Sequence, residues 1–197
     1  MKNFVKTLVL VTCLQLFSIV SGAQLKLPAL NGFAADLKKV IRDQPNHFSS
    51  MIGDIIAEHP QSTDYECKLA VSNTEENYIT RYSSLKEIYS WQALVLTTES
   101  FEKAKQKFRA LYNQLNNLAV PLDNGSTLHF KGSYTTPAAE SKFISVLLNG
   151  EPEAKNPGKL VLELSLQFYQ PMEWKVKVLV YDREREDAEK GAAKEGQ

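Results

Sequence analysis

The residues of this chain best suited to chemistry are three histidines, His47, His59 and His129, and two cysteines, Cys13 and Cys67. A zinc centre needs closely spaced His or Cys ligands, and these residues are scattered. A nucleophilic cysteine needs a base or a positive neighbour to make its thiolate. Cys67 instead alternates with Tyr65 and Leu69, the pattern of a small buried apolar residue. Serines are plentiful, but no Gly-x-Ser-x-Gly elbow presents one, and nothing in the spacing joins a serine to a histidine and an acid. Glu75-Glu76 and the acidic run from Asp182 to Asp187 lack the Asp-x-Asp-x-Asp-Gly order of a calcium loop. Asn149-Gly150 and Asn156-Pro157-Gly158 read as turns, not as a phosphate cradle. Asn124-Gly125-Ser126 matches a glycosylation acceptor, yet it is equally well explained as a turn. The three histidines have surface readings: His47 beside a helix cap, His59 at a helix end where an imidazolium suits the dipole, and His129 on the polar side of a strand. The pattern implies no catalytic residue, no cofactor and no metal, and it leans against an enzyme.

Recognition is the remaining option, and the most regular part of the chain supplies a surface for it. Lys159 to Tyr169 alternates throughout, with Leu160, Leu162, Leu164, Leu166 and Phe168 on one side. Gln170-Pro171-Met172-Glu173 turns the chain, and Trp174, Val176, Val178 and Val180 answer from the next strand, which makes an antiparallel hairpin. The opposite side of this pair carries Glu163, Gln167, Tyr169, Lys175, Lys177, Leu179 and Tyr181. Tyrosines among polar groups offer contact area at low entropic cost, so Glu163, Gln167, Tyr169, Lys175, Lys177 and Tyr181 are the candidate binding residues. The competing reading is an ordinary solvated sheet face, or one covered by the N-terminal helices.

These strands need an element to cover their apolar side. Phe101, Ala104, Phe108, Leu111, Leu115 and Leu118 recur at helical spacing, with Ser100 as N-cap, while Lys103, Lys107 and Arg109 among others fall toward water. Two shorter helices are expected ahead of it, Gly32 to Arg42 and His47 to Glu58, the second with a stripe of Phe48, Met51, Ile52, Ile55 and Ile56. Strands are expected at Tyr65 to Val71, Tyr78 to Tyr82, Ile88 to Thr97, Thr127 to Ser133 and Ser141 to Leu148. The expected fold is therefore α+β, a largely antiparallel sheet of five to seven strands packed on one long amphipathic helix and preceded by a short helical hairpin.

Lys2 and Lys6, an apolar run from Thr7 to Val20, and the small residues Ser21-Gly22-Ala23 give residues 1–23 the form of a cleaved signal peptide. Residues 24–181 are then one α+β domain, and 182–197 a charged tail too poor in apolar residues to order itself. No transmembrane segment is expected after cleavage. Without Lys2 and Lys6 the chain has 21 basic against 23 acidic residues, so there is no surplus to neutralise phosphates and nucleic acid is not an expected partner. A lone Cys67 excludes an internal disulfide, which suits a bacterial periplasm or envelope better than an animal extracellular space.

The expectation is an exported, non-enzymatic domain that binds a protein, a peptide or another envelope component. One alternative is a small hydrolase or ligand-binding protein with a cleft between the N-terminal helices and the sheet, drawing on His129 or Cys67. Another is a homodimer joined through a sheet edge. The leader makes a direct prediction: the exported protein starts at Gln24 by intact mass, and an acylated Cys13 would refute it.

Overall fold

A computed structural model describes residues 31–83, 88–152 and 160–182; the expected signal segment, the Asn156-Pro157-Gly158 turn and the tail beyond Asp182 lie outside them. Helix α1 (Asn31–Asp43) and a 3-10 turn (Gln44–Asn46) lead into β1 (Ile52–His59), β2 (Ser62–Cys67), β3 (Glu76–Tyr82) and β4 (Ile88–Thr98). Helix α2 (Phe101–Leu115) opens a second run of β5 (Ala119–Pro121), β6 (Thr127–Lys131), β7 (Phe143–Glu151), β8 (Leu160–Tyr169) and β9 (Glu173–Asp182). All nine strands belong to one sheet in the order β1-β2-β3-β4-β9-β8-β7-β6-β5. Every pairing in it is antiparallel. Each half is thus a helix followed by a meander, and the last strand of each meander meets the other at the centre. The class is α+β, with nine strands where five to seven are expected.

Helix α2 starts where the sequence says it should. The Ser100 side chain accepts from the Lys103 backbone N–H at 3.4 Å, and Glu102 sits in the first turn, where a carboxylate suits the helix dipole. Ala104, Phe108, Leu111 and Leu115 are fully buried, and the helix lies across β8, β4 and β9. Lys107 departs from its expected place in water. It flanks the buried stripe and is itself buried, and this burial pulls its ammonium pKa down.

Helix α1 buries Phe33, Leu37, Val40 and Ile41 in the same core. Asp36 ties it to the β2–β3 turn. Its carboxylate accepts from Lys39 Nζ at 2.8 Å, from the Ser72 hydroxyl at 2.8 Å and from the Ser72 backbone N–H at 3.1 Å. Lys39 and Ser72 hold the Asp36 carboxyl below its usual range, against the opposing effect of burial.

The expected second helix, His47 to Glu58, is not formed, so there is no helical hairpin. His47 and Phe48 both take positive φ (56° and 55°), and the chain turns there instead of winding on. Asp43 Oδ2 fixes the turn by accepting from the Ser50 hydroxyl at 2.7 Å and its N–H at 3.1 Å. From Ile52 the backbone is edge strand β1, irregularly registered on β2 between Ile52 and Ala57. Phe48 and Met51 are buried as a helical stripe would require, but Ile55 and Ile56 are exposed. Isoleucine is β-branched and favours the extended backbone. At Gly53 an added Cβ would lie 3.0 Å from the Glu66 carbonyl oxygen, so β2 approaches this backbone closely. Asn149-Gly150 is likewise strand rather than turn, because β7 runs on to Glu151 and Gly150 stands opposite Phe130 of β6.

The core places Phe108 at the contact between α2 and the central strands. Phe108→Ala should lower stability by about 3 to 5 kcal/mol in denaturant unfolding. Phe108→Asp should abolish the cooperative transition; a soluble Asp variant with an unchanged melting temperature would refute this packing.

Candidate functional site

The helices cover one face of the sheet, and the candidate residues lie on the other. The pairing registers set out that outer face in rows. One row reads Asp64, Thr80, Ser90, Tyr181, Val161 and Asn149; the next reads Tyr78, Gln92, Leu179, Glu163 and Leu147. A third reads Glu76, Leu94, Lys177, Ser165 and Ser145, and beyond it Lys175, Gln167 and Phe143 stand side by side.

The six candidates do share this face, but they do not form one group. Tyr181 is buried, as are Leu179 and Val161 beside it, and these three make a small second apolar cluster. The Tyr181 hydroxyl donates to Glu163 Oε2 at 3.0 Å. This end of the face is packed rather than open, contrary to the expected exposure of Tyr181 and Leu179. Gln167, Tyr169, Lys175 and Lys177 gather at the other end and remain half-buried. Tyr169 donates to Gln167 Oε1 at 2.9 Å and accepts from Lys177 Nζ at 3.3 Å. The ammoniums of Lys175 and Lys177 stand 5.1 and 5.4 Å from its ring centroid, within cation–π reach. Glu173 approaches Lys175 at 3.5 Å. Next to Gln167, across the β7–β8 pairing, Phe143 is 54% exposed, and Leu147 on the same strand is 40% exposed.

Sequence reasoning missed the contribution of β3 and β4. Gln92 Nε2 donates to the Tyr78 hydroxyl at 2.6 Å, and Thr80 donates to Asp64 Oδ1 at 2.6 Å. Burial pushes the Tyr78 hydroxyl up to about 12, with further pressure from Asp64, Glu76, Tyr82 and Tyr169. Tyr169 is on β8, separated from β3 by β4 and β9, so the polar patch reaches across four neighbouring strands. The alternation of Tyr78, Thr80 and Tyr82 was a usable signal; what the sequence lacked was the strand order that brings them beside β8 and β9.

The groups considered for catalysis stay apart. Cys67 is buried on β2, and this burial raises its thiol pKa, the reverse of what a nucleophile needs. His129 is on β6, with β3, β4, β9, β8 and β7 standing between that strand and β2. His59 contacts Asp64 at 3.3 Å on an exposed edge, and His47 stacks on Tyr89 at 5.1 Å. Among the described residues no group of three or more His, Cys, Asp or Glu could hold a metal ion, and no helix is long and apolar enough to cross a membrane.

These features define an α+β protein built on a nine-stranded antiparallel sheet with one polar and aromatic face. No protein-family model matches the chain, and no curated protein or solved structure is detectably similar to it.

The environment of Tyr78 has a consequence at alkaline pH. Below its ordinary value of 10.0 the phenol is neutral in folded and unfolded chains alike. Between 10.0 and about 12 only the folded chain keeps the proton, so this group makes stability fall as pH rises through that window. Denaturant unfolding across the window should show a shallower decline for Tyr78→Phe; an unchanged slope would mean that Tyr78 is not held neutral by this patch.

Proposed function

We propose that this is an exported, non-enzymatic binding protein that takes a protein or peptide on the outer face of its sheet. The observation that carries this reading is the exposed Phe143 standing beside Gln167 in the half-buried group of Gln167, Tyr169, Lys175 and Lys177, with exposed Leu147 two rows further along the same face. Exposed apolar side chains set among polar and aromatic ones are the composition of an interaction surface. Tyr169 is held by a hydrogen bond to Gln167 and one from Lys177, so its ring is in place before a partner arrives. With Glu173 paired to Lys175, the two lysines leave this end of the face with a net positive charge at Lys177, which suits a partner presenting a carboxylate beside an apolar residue. Export rests on the leader-like residues 1–23, and a periplasmic or extracellular setting of bacterial type on the absence of a possible internal disulfide.

A photo-crosslinker placed at Phe143 in the producing cell tests the face, with Ile56 on the edge strand as an equally exposed control. The expected result is one crosslinked protein species from Phe143 and none from Ile56. The purified partner should then bind Tyr169→Ala and Lys177→Ala about tenfold more weakly or worse. Crosslinking from Ile56 alone, or variants that bind like the parent, would overturn the proposal.

A further inference from the structure

On the opposite side of the molecule, the outer surface of α2 and the segment after β6 flank an open groove of about 430 Å³. Glu102, Lys105, Gln106 and Arg109 line it from the helix, and Tyr134 and Thr136 from the facing segment. The facing wall is fixed in place. The Tyr134 ring packs against Tyr112 at 4.8 Å and Phe108 at 6.2 Å, so it is held by the helix it faces. The Tyr112 hydroxyl donates to the Gly132 carbonyl oxygen at 2.9 Å, and Asn116 Oδ1 accepts from the Gly132 N–H at 3.2 Å. A side chain at Gly132 would overlap the Leu147 carbonyl oxygen, so glycine is needed for the chain to pass β7 this closely.

The polar groups along it are exposed or half-exposed, so their ends are open to a ligand as well as to water. Glu102 stands one turn from Lys105 and two from Arg109, yet among the described residues it ion-pairs with neither. The side chains of Gln106, Arg109 and Thr136 likewise have no hydrogen-bond partner among the described residues, and the Lys105 side chain has only the Phe101 ring, 5.6 Å from its ammonium. Arg109 is near enough to the Tyr134 hydroxyl to oppose the upward effect of burial on its pKa. Two cations against one carboxylate leave the groove net positive beside an aromatic wall.

We infer that this groove binds a small organic anion, its carboxylate or phosphate group held by Lys105 and Arg109 and its apolar body against Tyr134. Arginine offers a planar fork matched to either oxyanion, and lysine adds a point charge one helical turn away. Gln106 and Thr136 provide further hydrogen bonds at the walls. This site shares no residue with the sheet face, so the two proposals stand or fall separately.

Calorimetric titration of the intact protein with benzoate, phenyl phosphate, benzyl alcohol and inorganic phosphate tests the assignment. Saturable binding is expected for benzoate or phenyl phosphate, and the tighter of the two identifies the oxyanion. Benzyl alcohol should not bind, and inorganic phosphate should bind about tenfold more weakly than phenyl phosphate. Arg109→Gln and Lys105→Gln, both at exposed or half-exposed positions, should each weaken the tighter probe about tenfold with no change in melting temperature. No saturable binding of either aromatic anion would overturn the proposal, and so would undiminished binding by Arg109→Gln. Inorganic phosphate binding as tightly as phenyl phosphate would remove the role of Tyr134 and reduce the site to an adventitious ion only.

Discussion

Strands β4 and β9 meet in an antiparallel register that runs from Ser90 opposite Tyr181 to Thr98 opposite Trp174. Everything to one side of this seam is a meander of neighbours in sequence, and so is everything to the other side. The meanders are closed by short connections that cost little chain entropy, whereas the seam brings together residues more than seventy positions apart. Helix α2 leaves β4 after only two residues and lies over β4, β9 and β8, so its stripe covers the seam itself. Phe101 and Phe168 both pack against Trp174 at the start of β9, at 4.9 and 5.1 Å. The long-range pairing and the helix that shields it therefore support each other. The seam also carries an irregularity between Leu94 and Leu96. There Glu75 accepts from the Thr97 N–H and hydroxyl, each at 2.7 Å, so a polar side chain satisfies the backbone at the break.

What could be read from the sequence was whatever one period decides. The alternation through β8 and β9 places Leu162, Leu164, Val176 and Val178 in the core, and the spacing in α2 does the same for Phe108 and Leu111. Segments compatible with two periods were harder. Phe48, Met51, Ile52, Ile55 and Ile56 satisfy a helical template, yet tertiary context decides otherwise. Two residues at positive φ break the winding, and β2 offers a paired backbone that an extended Ile52 to His59 can use. Asn149-Gly150 misled for a similar reason: the dipeptide favours turns in isolation, but β6 lies beside it and pairs with it as strand. Strand β5 is three residues long, too short for any periodic signal.

The candidate face was half legible. Alternation alone put Glu163, Gln167, Tyr169, Lys175, Lys177 and Tyr181 on the side away from the helix. It could not show that Tyr181 would be buried beside Val161 and Leu179, nor that Tyr78 and Gln92 would join the patch. Both outcomes follow from strand order, which is a property of the seam and not of any one strand. Lys107 shows the same limit on the helix side: its angle on the helical wheel is marginal, and the neighbouring elements decide that it is buried.

The sheet thereby separates two kinds of surface. Its inner face holds the apolar side chains of both meanders under two helices and is committed to stability. Its outer face spends hydrogen bonds among its own side chains, Gln92 to Tyr78, Tyr169 to Gln167 and Tyr181 to Glu163, while Phe143 and Leu147 remain in water. Those hydrogen bonds run within the face and immobilise its rings, which lowers the entropy that a partner would have to remove. Because these side chains sit on paired strands, the backbone beneath Gln167, Tyr169, Lys175 and Lys177 is fixed by the same β8–β9 register that orders the core. A substitution in the core of this hairpin should disturb the outer group through that shared backbone, whereas trimming Phe143 or Tyr169 on the outer face leaves the apolar stripe untouched. The proposed recognition and the stability of the fold are thus separable by face even though both rest on the same strands.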